Sequence, residues 1–143
     1  MAVFENYLES DGQIQSMKKL ITCLLAVLGL TSACGQKNYE DVDVTGFAEL
    51  IADSSVVILD VRTSEEYSEG HIDGAINIDV KQSGFLDKAK ATLPTDKTIA
   101  VYCRSGRRSA NACEKLSAEG YGKCVNLRGG ILAWMDEKKS VVK

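Results

Sequence analysis

Two segments of the chain, Val56-Val57-Ile58-Leu59 and Ile99-Ala100-Val101-Tyr102, are unbroken runs of apolar, mostly β-favouring residues. A strand with one wet face alternates apolar and polar residues, so an unbroken run needs apolar cover on both sides. A shorter run, Cys124–Leu127, and weaker candidates at Val42–Val44 and Ala75–Ile78 complete the set of expected strands. Helical patterns lie between them. Thr45 can cap a helix with Phe47, Leu50 and Ile51 on one face. Thr63 and Glu66 have the spacing of a capping box, which predicts a short helix after Thr63. Phe85 to Leu93 is a third helix, stopped by Pro94. Ser109 can cap Ala110–Glu119, with Ala112, Cys113 and Leu116 inward and Gly120 as the residue that ends it. A last helix runs from about Ile131 to Glu137, after Gly129-Gly130. The expected fold is α/β: a mostly parallel five-stranded central sheet flanked by helices on both faces.

The length of 143 residues suits one domain, and 45% hydrophobic with 26% charged residues is an ordinary globular balance. A net charge of −3 argues against nucleic acid as a partner. The N-terminal third reads differently. Met17-Lys18-Lys19 is basic, Leu20–Leu30 carries no charge, and Thr31-Ser32-Ala33 are small. The apolar stretch is too short to span a bilayer and fits the core of an export signal over 17–33. Cys34 follows at once, and small residues ending at a Cys resemble the bacterial lipoprotein signal, with Thr31 standing where that pattern usually has Leu. The resemblance implies lipidation at Cys34. It also implies an exported protein, periplasmic or in the cell envelope, touching the membrane only through that lipid. Residues 1–16 carry Glu5, Glu9 and Asp11 without Lys or Arg, unlike the basic start of an export signal. They are read as a non-native or mis-set extension, with Met17 the natural start. Residues 34–38 are a tether, and 39–143 are the functional domain.

The chemistry concentrates at Cys103-Arg104-Ser105-Gly106-Arg107-Arg108-Ser109, between the end of an expected strand and the start of an expected helix. Ligands of parallel α/β sheets bind beyond the carboxyl ends of strands. A helix N-terminus favours an anion, and three Arg close by add positive charge, so both lower a thiol pKa. Gly106 lets the loop curl until successive N–H groups converge. These residues together predict a thiolate nucleophile at Cys103 in a cradle for a small anion. Tyrosine-phosphatase-type enzymes place an Arg six positions after the Cys. That position is Ser109 here, so the loop is one residue short for a phosphoester. A Cys-based phosphatase or arsenate reductase remains as an alternative, as does a redox protein.

The sequence resembles the rhodanese-like sulfurtransferases. The resemblance rests on Val57–Arg62, Glu65-Glu66-Tyr67, Gly70–Asn77, Val101–Ser109 and Asn126–Trp134, in that order, with Asp73 where many members have Pro. It implies a rhodanese-like domain that moves sulfane sulfur from thiosulfate or a persulfide. A Cys103 persulfide would carry that sulfur to cyanide or a thiol, which could belong to a sulfur-accepting protein. Arg104, Ser105, Gly106, Arg107, Arg108 and Ser109 would bind the anionic substrate. No metal or cofactor is needed, and a monomer is expected. A non-catalytic binding module of the same family is the alternative, although such modules usually lose the Cys. His71, the only His, is expected to be structural, at a turn. Asp60 and Arg62 are expected to support the site through local ion pairs, Arg62 with Glu66. Trp134, Cys113 and Cys124 are expected in the core. No Cys pair has C-x-x-C spacing, which leaves a zinc site or a thioredoxin-type motif unsupported.

Overall fold

The computed structural model describes residue 35 and residues 37–143, and Lys37–Lys143 form one compact unit. The export segment 17–33, Cys34 and the extension 1–16 lie outside the described residues. Five strands, β1 (Glu40–Val42), β2 (Val57–Asp60), β3 (Ile76–Asn77), β4 (Thr98–Tyr102) and β5 (Lys123–Leu127), form one sheet in the order β1-β5-β4-β2-β3. Every pairing is parallel. The helices are α1 (Val44–Ile51), α2 (Ser64–Glu69), α3 (Phe85–Thr92), α4 (Arg107–Ala118) and α5 (Gly130–Asp136).

Strand β4 shows why its run is unbroken. Ile99 and Val101 belong to a core with Phe85, Ala89, Ala112 and Leu116 from α3 and α4. Ala100 and Tyr102 belong to a second core with Phe47, Ile131 and Trp134 from α1 and α5. Alternate side chains of one strand thus enter two cores, as a sheet covered on both faces requires. Phe47 fixes the second core by edge-on contacts with Tyr102 and Trp134, at centroid distances of 6.5 and 6.2 Å.

The ends of the elements are set by local chemistry. Thr63 and Glu66 make both hydrogen bonds of the capping box at α2. At the end of α4, Gly120 takes φ +89°, and the Gly120 and Tyr121 N–H groups donate to the Ser117 and Leu116 carbonyls, closing the helix in a Schellman turn. Two starts differ from the sequence expectation. Asp43, not Thr45, caps α1, because β1 already ends at Val42 and the Asp43 carboxylate accepts from the Gly46 N–H at 2.9 Å. Helix α4 starts at Arg107 rather than after Ser109, since Gly106 at φ +95° turns the chain into the helix earlier.

A buried ion pair ties the carboxyl end of β2 to its surroundings. Asp60 is fully buried, and its Oδ2 lies 2.6 Å from an Arg62 guanidinium nitrogen. Arg62 also donates to the Gly70 carbonyl at 2.8 Å and lies over the Tyr102 ring at 5.6 Å. Asn77 donates to the carbonyls of both Asp60 and Arg62, at 3.1 and 2.9 Å. Arg62 therefore pairs with Asp60 and not, as its position suggested, with Glu66. Removing one member of such a pair leaves a desolvated charge. Asp60→Ala should accordingly destabilise the domain by about 3 kcal/mol or more. Urea unfolding reads this directly, and a loss below about 1 kcal/mol would show that the pair is not the tie it looks to be.

Candidate active site

Cys103 is the first residue beyond β4 and is fully buried. Its Sγ accepts the Gly106 N–H at 3.1 Å and the Ser109 hydroxyl at 3.3 Å. Burial alone pushes the thiol pKa up. Hydrogen bonds from the Ser109 hydroxyl and from the N–H groups of Ser109, Ser105 and Gly106 outweigh it, and the net shift is downward. Ser109 does not cap α4 as expected from sequence. It sits in the first turn, fully buried, with its hydroxyl turned onto the sulfur. The arrangement stabilises an anion on Sγ and leaves a helix N-terminus beside it.

The inward N–H groups of the loop require its carbonyls to find partners elsewhere. The start of α5 supplies them: the Ile131 N–H donates to the Cys103 carbonyl at 2.9 Å and the Leu132 N–H to the Arg104 carbonyl at 3.2 Å. This approach fixes the identity of Gly130, where a Cβ would lie 2.5 Å from the Cys103 carbonyl oxygen. At Gly106 a Cβ would meet the Leu127 carbonyl and the Gly129 nitrogen, each at 3.1 Å, in a left-handed conformation that already favours glycine.

The three Arg of the loop divide. Arg108 is half-buried and binds Glu66 in a two-pronged pair, at 2.8 and 2.7 Å. Glu66 also accepts the Thr63 N–H at 3.1 Å, so the capping box of α2 holds the arginine. The Arg108 hydrogen bonds, above all, draw the Glu66 carboxyl down to about 2. Arg104 and Arg107 are exposed beside the loop, as is Ser105, while Gly106 is buried within it. Asp60 and Arg62 sit one layer out, under Tyr102 and the α2 turn. His71 faces away from this chemistry. Its Nδ1 meets the Tyr67 carbonyl at 3.0 Å, its ring stacks on Tyr67 at 3.7 Å, and its backbone pairs with Val142. Cys113 and Cys124 are buried in the core under α4 and are not disulfide-bonded. Among the described residues, no cluster of His, Cys, Asp or Glu is placed to hold a metal ion.

The pattern of the rhodanese-like domain matches residues 43–137. The chain belongs to the rhodanese-like family. A sulfurtransferase of Allochromatium vinosum is 36% identical over 95 residues, covering 66% of this chain and 86% of that protein. Thiosulfate sulfurtransferase 18 of Arabidopsis thaliana is 36% identical over 118 residues, covering 75% of this chain and 86% of its own length. The crystal structure of a rhodanese-related protein from Thermoplasma volcanium superposes with a TM-score of 0.64 at 36% identity, over 73% of this chain and 98% of that one. The rhodanese fold accounts for the placement of Cys103 at the carboxyl end of the central strand β4.

The sequence suggested Glu66 as a cap and as a partner for Arg62, and Gly129-Gly130 as part of a motif, but not their work on the loop. Asn126 was missed too, although one amide in the run Cys124-Val125-Asn126-Leu127 is a visible signal, since a polar side chain in a covered strand needs a partner. The Glu66–Arg108 pair also has a pH signature. A carboxyl held near 2 in the folded chain, against an ordinary 4.5, contributes stability above the unfolded value that is lost as pH falls through the folded one. Glu66→Gln keeps an acceptor for the capping box but removes the charge. It should cost about 1 kcal/mol at neutral pH, given the solvent at this rim, and that deficit should shrink between pH 4.5 and about 2. A deficit independent of pH over that window, in denaturation run at several pH values, would contradict the pair's role.

Proposed function

We propose that the domain is a sulfurtransferase that moves sulfane sulfur through a persulfide on Cys103. The observation that carries this reading is the Cys103 sulfur, buried and receiving the Gly106 N–H and the Ser109 hydroxyl at the mouth of α4. A thiolate held there attacks the outer sulfur of thiosulfate or of a persulfide. The new S–S bond forms at Sγ while the old bond breaks toward sulfite or a thiolate, which carries the electron pair away. Cyanide or a thiol acceptor then attacks the outer sulfur, and the Cys103 thiolate leaves. Substrate, leaving group and persulfide are all anionic, so one set of N–H donors serves each state. Arg104 and Arg107, exposed at the loop, attract and orient the anion, and Arg108 holds its place through Glu66. The sulfurtransferase names of the relatives support the same reading.

Ser109, where a phosphatase loop would place its phosphate-binding Arg, turns its hydroxyl onto the sulfur, which favours sulfur transfer over phosphoester chemistry. The acceptor in the cell is a thiol, on a small molecule or on a protein. Export and lipidation at Cys34 belong to the same proposal and would put the domain in the cell envelope; labelled fatty acid should be incorporated into the wild-type chain and not into Cys34→Ala, and equal labelling of the two would contradict lipidation there.

Incubation with thiosulfate should add one sulfur to the intact mass, and cyanide should then release thiocyanate. Cys103→Ser should do neither. Arg107→Ala should raise KM for thiosulfate roughly tenfold, as expected for one lost charge-assisted contact, with little change in unfolding. Arg108→Ala should lower activity and stability together, because it also strands Glu66. Absence of both sulfur adduct and thiocyanate from folded protein would leave only the binding-module or phosphatase readings.

A further inference from the structure

We propose that Asn126 is a positioning residue that latches the Gly106–Arg107 peptide and so keeps the thiolate cradle in register. Asn126 lies on β5, opposite Asp41 of β1 and Val101 of β4, and is buried. Its Nδ2 donates to the Asp41 carboxylate at 2.8 Å and to the Gly106 carbonyl at 3.2 Å. Its Oδ1 is buried with no partner. An unsatisfied acceptor costs about 1–3 kcal/mol, so an apolar side chain would suit this strand better if folding were the only demand. The amide is kept where both of its N–H bonds serve the loop and the residue that aims it.

Gly106 needs such a latch. Its left-handed conformation is available because it has no Cβ, and the same freedom lets its peptides rotate. In a planar trans peptide the carbonyl and the next N–H point in opposite directions. Holding the Gly106 carbonyl toward Asn126 therefore turns the Arg107 N–H to the other side. Without Asn126 the carbonyl keeps only the Ala110 N–H, at 3.2 Å. Any rotation that weakens the neighbouring Gly106 N–H bond to Sγ removes a donor from the anion. The inference rests on Cys103 acting as a thiolate, as the proposed sulfur transfer requires.

The test is the pH profile of Cys103 alkylation by iodoacetamide, read by intact mass on the full chain, which needs no sulfur donor. Charged groups lie on the elements packed around the loop. Arg104, Arg107 and Arg108 lie on its own segment, Asp60 and Glu66 come from β2 and α2, and Arg62 from the turn between them. Asp79 lies beyond β3, and Asp41 and Arg128 flank β5. Asn126→Val removes none of them, so a shift reports the latch. The profile should move up by roughly half a pH unit or more, about threefold slower alkylation at neutral pH. Asp41→Ala, which frees the amide but leaves β5 intact, should move it the same way by less. Val125→Ala, a core truncation on the same strand, should lower stability without moving the profile. Overlay of both latch variants on the wild type, or an equal shift in Val125→Ala, would overturn the latch. Thiocyanate production by the wild-type chain is unaffected by that failure and tests the sulfurtransferase reading separately.

Discussion

A buried thiolate needs hydrogen-bond donors, and a short loop can supply them only if its peptide planes all turn the same way. That requirement organises the region around Cys103. The N–H groups of Ser105, Gly106 and Ser109 lower the thiol pKa, so the carbonyls of Cys103, Arg104 and Gly106 must be received on the outside. They are received by Ile131 and Leu132 of α5 and by Asn126 of β5. The cradle is therefore built by the loop after β4 with the first turn of α4, and is held from outside by the strand β5 and the helix α5 that follows it. Gly129-Gly130 is the hinge that brings α5 close enough, and its lack of side chains is a condition of the contact.

The ion pairs act on a second level. Asp60 and Arg62 stiffen the carboxyl end of β2 with help from Asn77, Gly70 and Tyr102. Burial and the Asp60 charge push the Tyr102 hydroxyl well above its usual range, so it stays protonated and accepts the Ile72 N–H at 3.0 Å. Glu66 and Arg108 then join α2 to the first turn of α4. Arg62 and Arg108 are thus committed to ion pairs, and Arg104 and Arg107 remain exposed at the loop.

Much of this was legible in the sequence because it follows from local periodicity. Unbroken runs at Val56–Leu59 and Ile99–Tyr102 suit strands covered on both faces, and the cores on either side of β4 bear that out. The capping box at Thr63 and Glu66 and the glycine stop at Gly120 are contacts within one turn. The strand–Cys–Arg-rich loop–helix order was equally plain. What escaped is what depends on distant partners. Glu66 meets Arg108 across 42 positions, so its nearer neighbour Arg62 looked the better match. The start of α4 was misplaced because Ser109 has the chemistry of a cap, and only the left-handed turn at Gly106 shows that its hydroxyl is needed on the sulfur. Asn126 was missed because its partners are on β1 and in the loop between β4 and α4.

The most direct measurement is the ionisation of Cys103 itself, followed by ultraviolet thiolate absorbance as the difference between wild-type protein and Cys103→Ser across a pH titration. The geometry predicts a midpoint clearly below the ordinary thiol value of 9.0. A midpoint at or above that value would show that burial defeats the hydrogen bonds and that Cys103 is not the anion around which the site is built.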